Sequence, residues 1–307
     1  MNGVSAFFQR RRRLRQLRKS WKFGMTSRRE QQWLRKYAAQ RYGGLGAIVD
    51  LGCFVGGTTI ALAEGLALNR KAQGQQIHAY DLFTWNEGYE AWAKGSELGG
   101  RFRPSESFLP EFLKRTEQWR DHIVVHREDL RAASWSGESI EFLYIDAMKA
   151  PQVASAIASN FFPHLIPRKS YIAHQDYPHY VTWWIHILAF RLRDYFRFAT
   201  DLPQSTLFRF HDRIDPQLLA GDLSPGAVTP AEIEAAFDYS LRLVSKNKKA
   251  NVIAAKANAY VARGELARAD EIIKQSRYGP ESIADEFNIV RTLIERKLAA
   301  SKASNPH

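Results

Sequence analysis

The sequence predicts an α/β fold, a mostly parallel sheet with helices on both faces, preceded by a basic N-terminal helical arm and followed by a C-terminal α-helical extension. Three observations predict it. Between residues 43 and 211, short apolar runs alternate with segments of helical period. Asp50, Asp81, Asp129, Asp146 and Asp176 fall at the carboxyl ends of successive runs, the edge at which open α/β sheets bind ligands. Pro216, Gly221, Pro225, Gly226 and Pro230 then punctuate 212–230, and beyond them the pattern is helical only.

The elements follow in order. Residues 1–42 are the arm; seven of the ten residues 10–19 are basic, and the first acid is Glu30. Phe7, Phe8, Leu14, Leu17, Trp21 and Phe23 interrupt the arginines. This composition fits a solvated helix packed on the domain, a helix lying on an anionic membrane surface, or an organelle transit segment. GAIVDLG gives the first strand and GTTIALAEGLAL (57–68) a helix. QIHAYD (76–81) is the second strand; a long loop rich in Gly and aromatics (82–103) and a helix over 104–120 follow. HIVVHRED (122–129) and SIEFLYIDA (139–147) are strands three and four. Pro151 opens a helix over 151–162, a favoured first-turn position. RKSYIAHQD (168–176) is strand five, 180–196 is helical, and FRFATDL and STLFRFHD form a hairpin. The domain thus covers 43–211, a linker 212–229, and the extension 230–307, with helices over 230–245, 249–263, 266–276 and 280–300. Tyr260, Gly264, Ala269 and Ile273 are spaced as in one tetratricopeptide-type hairpin, but a single copy cannot bury its own faces, so a plain helical cap is expected.

Composition narrows the function. The chain of 307 residues carries a formal charge of +12, which favours an anionic partner. Its one cysteine, Cys53, permits no internal disulfide and suits a reducing, cytoplasmic compartment. No apolar run is long enough to span a membrane, and no apolar stretch follows the N-terminal arginines as a secretory signal requires.

IVDLGCFVGGTT (48–59) has the look of a nucleotide loop but matches neither common form. Phe54 stands where the dinucleotide fingerprint has its second glycine, against close approach of a pyrophosphate. Thr58 stands where the phosphate loop has its lysine. Acid-x-Gly-x-x-x-Gly-Gly after strand one, with an acid closing strand two, resembles the S-adenosylmethionine-binding class I methyltransferases. Their cofactor carries no phosphate, so the loop needs no basic residue. Gly52, Gly56 and Gly57 can let it pass close to bare backbone. Asp81 can accept both ribose hydroxyls, Asp129 can reach the adenine amino group, and Asp50 can help place the amino end. Taken singly, Asp50 and Asp129 also fit helix caps.

The resemblance extends to YIDAMKAP and LIPRKSYIAHQDY, which are similar to the two metal segments of catechol-type O-methyltransferases. The second is also similar to a segment of macrocin-type sugar O-methyltransferases, which share the glycine loop and an acid-x-Phe after strand two, here Asp81-Leu82-Phe83. It covers roughly 43–211 and implies a Rossmann-like class I methyltransferase sheet. It further implies Mg2+ on Asp146 and Asp176, with Gln175 where the families have an acid. An amide oxygen still binds a hard cation but removes a negative charge. Lys149 falls on the lysine of the catechol pattern as a general base; a surface lysine at a helix start is the alternative. His174 and His179 flank the same loop and could take the proton instead, since histidine titrates near neutrality.

Trp85, Tyr89, Trp92 and Phe102 are expected either in the core or as a sugar platform. Of Trp183 and Trp184, one is expected in the core and the other on the substrate wall. The reading is an S-adenosylmethionine-dependent O-methyltransferase acting on a hydroxyl of a small-molecule or glycan acceptor. RNA-directed methylation and a catalytically degenerate scaffold are the alternatives. Nucleic acid is the less favoured partner, because no RNA-binding module and no Asn-Pro-Pro-Tyr-type segment is present.

Overall fold

The computed structural model describes residues 24–277 and 286–304. Phe7, Phe8, Leu14, Leu17, Trp21 and Phe23 lie outside the described residues. The rest of the expected arm contains a packed helix, α1 (Arg28–Gln40), started by Ser27, whose hydroxyl accepts from the Glu30 amide at 3.3 Å. Leu34, Tyr37 and Ala38 are buried along it, the spacing of one helical face.

Seven strands form one sheet among the described residues: β1 (Ala47–Leu51), β2 (Ile77–Asp81), β3 (Ile123–Arg127), β4 (Ile140–Ile145), β5 (Tyr171–His174), β6 (Phe196–Asp201) and β7 (Thr206–Phe210). Their order is β3-β2-β1-β4-β5-β7-β6. β1 and β2 pair parallel, as do β2 and β3, while β7 is antiparallel to β5 and to β6. This is the Rossmann-like sheet that the sequence predicts, with the expected hairpin closing one edge. All six residues of β4 are buried, as a strand flanked on both sides and covered on both faces requires.

The chain divides into two compact units, one ending at Tyr144 and the other starting at Ile145. In the first, α2 (Gly57–Leu66) follows β1 directly and packs on α1. Gly65 makes that possible: a side chain there would run into the Arg35 carbonyl and the Ala38 methyl. Arg35 and Glu64 form a largely buried ion pair at the same crossing. Glu141 of β4 anchors the loop before β1, accepting from the Gly43 and Leu45 amides at 2.6 Å each. A short helix, α3 (Glu87–Ala93), interrupts the expected loop, and the expected helix over 104–120 is shorter: α4 (Leu109–Thr116), then a 3-10 stretch, Glu117–His122.

In the second unit, α5 (Pro151–Phe161) precedes β5, α6 (Trp183–Arg191) follows it, and α7 (Pro216–Leu219) lies within the expected linker. The extension contains α8 (Pro230–Leu243), α9 (Lys249–Ala262), α10 (Leu266–Lys274) and α11 (Glu286–Ser304). Gly264 turns α9 into α10 with φ +79°; Tyr260, Ala269 and Ile273 are buried in that hairpin. The extension is bonded to the sheet's second half rather than standing apart. Lys248 donates to Asp201 at 2.7 Å and to the Ser205 carbonyl at 3.1 Å, and Arg191 pairs with Glu232 at 2.7 Å. Tyr177 and His186 share the buried Ser240 hydroxyl at 2.8 and 2.9 Å. No helix among the described residues is long and apolar enough to cross a membrane.

Candidate active site

In the first unit the glycine loop turns on left-handed residues. Gly52 has φ +84° and Gly56, which precedes α2, +90°. Phe54 is left-handed too, at φ +48°. The position therefore has the backbone that suits glycine, and the sequence places a phenylalanine there at a cost of about 1–2 kcal/mol. Two features hold it. Its amide donates to Asp81 Oδ2 at 2.9 Å, and its ring packs on Tyr89, Phe108 and Trp85 at 5.2, 5.3 and 6.0 Å. Trp85 and Phe108 are buried, and Phe102 packs on Trp85 at 5.0 Å. Trp85 thus belongs to a core beneath the glycine loop, with Tyr89 and Phe102 half-buried against it; the Trp92 side chain lies outside what is described.

Asp81 closes β2 and ties the next turn as well, accepting from the Phe83 amide at 2.8 Å through Oδ1. Burial raises its pKa, and the backbone amides of Phe83, Phe54 and Leu82 oppose the rise. The carboxylate has about four acceptor sites, so it keeps capacity for a hydroxyl beside these amides. Asp50 is fully buried on β1, and its Oδ2 accepts from Thr58 and Thr59 at 2.8 and 2.6 Å. Its Oδ1 is buried and has no partner. Burial, with a smaller push from Asp81, raises the carboxyl to about 6 against the pull of both hydroxyls. An unpartnered, buried carboxylate oxygen beside a loop without basic residues fits an ammonium-bearing, phosphate-free ligand. Asp129 lies two residues beyond β3. Arg131 grips it through side chain and amide and lowers its pKa, so the expected adenine contact would have to share that carboxylate.

In the second unit, Asp146 and Asp176 follow β4 and β5 and do converge, but on Lys149. Its Nζ donates to Asp146 Oδ1 at 2.7 Å and to Asp176 Oδ2 at 2.6 Å. Desolvation at Nζ works against the charge, and the two carboxylates more than offset it, so the pKa is raised. Lys149 in this arrangement holds its proton, which does not suit the general base expected of it. The Mg2+ expectation meets the same obstacle: the ammonium sits between the two acids. Among the described residues no group of three or more His, Cys, Asp or Glu could hold a metal ion. The backbone N–H of Gln175 bonds the Ile145 carbonyl at 2.9 Å and fixes the loop. The residues do not fit the metal.

His174 ends β5 inside the core, against Phe208 and Tyr177. Burial lowers its pKa to about 4, opposed by Asp176. His179 is half-buried, and its Nδ1 accepts from the Val181 amide at 3.3 Å. Burial lowers its pKa, Asp176 opposes and Lys149 adds. It is therefore a neutral imidazole next to the cluster, whereas His174 is a core residue. Trp183 and Trp184 are both buried, and Trp184 Nε1 donates to the Met148 carbonyl at 2.9 Å. Neither forms the expected substrate wall.

Thr58, Thr59 and Glu286 belong to these sites without being expected there. The threonines directly follow the glycines, and hydroxyls beside a buried acid are the available signal. Glu286 has none: it lies 110 residues after Asp176 in the chain, at the start of α11. It accepts from the Tyr180 amide at 3.1 Å, while Asn258 of α9 donates to the Tyr180 carbonyl at 3.2 Å. Burial, with Asp176 adding, raises Glu286 to about 7, in the range that suits a proton acceptor at neutral pH.

No family model and no curated protein matches the chain. Among solved structures it is similar to the O-methyltransferase NovP, with 13% identity, a TM-score of 0.48, and coverage of 62% of this chain and 82% of that one. It is also similar to the calicheamicin methyltransferase CalS11 (14%, TM-score 0.41, 66% and 93% covered) and to the 23S rRNA methyltransferase ErmE (13%, 0.33, 86% and 96%). These likenesses are too slight to bear on the reaction.

Proposed function

We propose that the protein is an S-adenosylmethionine-dependent O-methyltransferase acting on a hydroxyl of a small-molecule or glycan acceptor. The observation that carries the reading is the glycine loop of the first unit. Its left-handed turns, the Asp81 carboxylate tied to Phe54, and the unpartnered Asp50 Oδ1 together suit a ligand with an ammonium, a ribose and no phosphate. When bound, S-adenosylmethionine supplies a methyl group on a sulfonium. Asp50 would take the amino group and Asp81 the ribose hydroxyls.

The cluster of Asp146, Lys149 and Asp176, with His179 and Glu286, would meet the acceptor. It binds the hydroxyl and takes its proton as the oxygen–carbon bond forms and the carbon–sulfur bond breaks, leaving the thioether. Glu286, raised to about 7, is the group suited to accept that proton near neutrality, and His179 is a neutral imidazole next to the cluster.

Calorimetric titration with S-adenosylmethionine and S-adenosylhomocysteine tests this. Both should bind the wild type, and Asp81→Asn, shown by circular dichroism to be folded at the titration temperature, should weaken binding at least tenfold. No binding of either ligand by the wild type would refute the reading.

A further inference from the structure

The two acids after β4 and β5 sit in the places the resemblance gives to metal ligands, yet they hold an ammonium. Lys149 Nζ is 2.7 Å from Asp146 Oδ1 and 2.6 Å from Asp176 Oδ2. Asp176 is nearly fully buried, and the Lys149 stem reaches it from the exposed side. A magnesium ion between the same oxygens would need contacts of about 2.0–2.1 Å and near-octahedral donors. It would also lie against a positive charge. The donor set is thin as well. Gln175 is neutral where a third carboxylate would be needed, and no metal-holding group of three exists among the described residues.

We propose that Lys149 is the built-in cation of this site and that the protein handles its acceptor without a divalent metal. This rests on the methyltransferase reading for its substrate, but not for its cation. An ammonium has three N–H donors. Two are committed to Asp146 and Asp176, and the third is left for the acceptor oxygen. Held by both carboxylates, it is positioned to meet that oxygen and steady the negative charge that develops as the proton leaves. A tethered ammonium is weaker than a metal as a Lewis acid.

The test uses the full chain and Mn2+ as the probe, with free aquo-Mn2+ read by electron paramagnetic resonance. The wild type should leave millimolar Mn2+ free. Lys149→Met removes the ammonium and leaves two carboxylates with Gln175, so its affinity for Mn2+ should rise at least tenfold, and Asp176→Asn added to it should abolish the gain. Lys149→Gln takes the place of Lys149→Met should that variant not fold. Stoichiometric Mn2+ binding by the wild type, lost in Asp146→Asn, would overturn the proposal. So would the absence of any gain in the lysine variant, because the ammonium would then not be what keeps the ion out. Cofactor titration of the same samples separates the two claims: if S-adenosylmethionine binds none of them, the methyltransferase reading fails while the Mn2+ result still decides the role of Lys149.

Discussion

Replacing Asp50 by asparagine should make the protein more stable and less able to bind its cofactor. Asp50 is fully buried, and its carboxyl is raised from 3.8 to about 6. Each pKa unit corresponds to about 1.4 kcal/mol, so the ionised group costs the fold about 3 kcal/mol at neutral pH. The sign follows from proton counting. The folded state binds the Asp50 proton more tightly than the unfolded chain does. The favourable contribution is complete below about pH 4 and is lost as pH rises through about 6. The substituted amide would carry no charge, and its oxygen in the Oδ2 place could accept from both threonine hydroxyls. Its NH2 would then be buried in the Oδ1 place without an acceptor, which costs about 1 kcal/mol, leaving a net gain of about 2 kcal/mol at pH 8 and a loss of up to about 1 kcal/mol at pH 4. Urea unfolding of both proteins at the two pH values measures the difference directly, since other titrating groups cancel in it. Calorimetry should show S-adenosylmethionine binding weakened at least tenfold. In the wild type, binding should also weaken as pH falls below about 6, because an ammonium must find the carboxylate ionised. An Asp50→Asn protein that is less stable than the wild type at pH 8, or that binds S-adenosylmethionine equally well, would refute the assignment of Oδ1 to an amino group.

Two further outcomes are expected. Phe54→Ala should be less stable than Phe54→Gly by about 1 kcal/mol, the reverse of the usual order, because φ is +48° there and only glycine escapes the left-handed penalty; thermal unfolding of the pair decides it. His186 is fully buried, and burial, with His174 adding, lowers it to about 3. Its folded pKa lies below the unfolded value, so stability is lost as pH falls below about 6.5, and His186→Phe should move the acid unfolding midpoint to lower pH.

The sheet is legible in the sequence because each strand is a short apolar run ended by an acid or a turn, and the run that becomes β4, six residues long, is too short for a helix. The hairpin is legible from the few residues between Asp201 and Thr206. Its insertion, with β7 rather than β6 beside β5, is not, since nothing local distinguishes the two strands. The acids of the candidate site show themselves by their places at strand ends. Their partners do not. Lys149 reads as a base because the resemblance sets it on the lysine of the catechol pattern, and a motif does not show the ion pairs that keep its proton on. His174 reads as a candidate base flanking the loop, but it is the last residue of strand five and is buried in the core, and its place in the expected strand does not show which face it takes. Glu286 and Asn258 are joined to Tyr180 only by the fold, and such contacts leave no mark in local sequence.

The extension's grip on the loop after β5 has a consequence for how this chain can be cut or varied. Tyr180 would lose a partner on each side of its peptide unit, and Tyr177 and His186 would lose the one hydroxyl they share. A chain ended in the Pro- and Gly-rich stretch would therefore be left with orphaned polar atoms inside its own core and a slack loop after β5. Changes in α8, α9 and α11 thus reach Tyr177, Tyr180 and His186 from a distant part of the sequence.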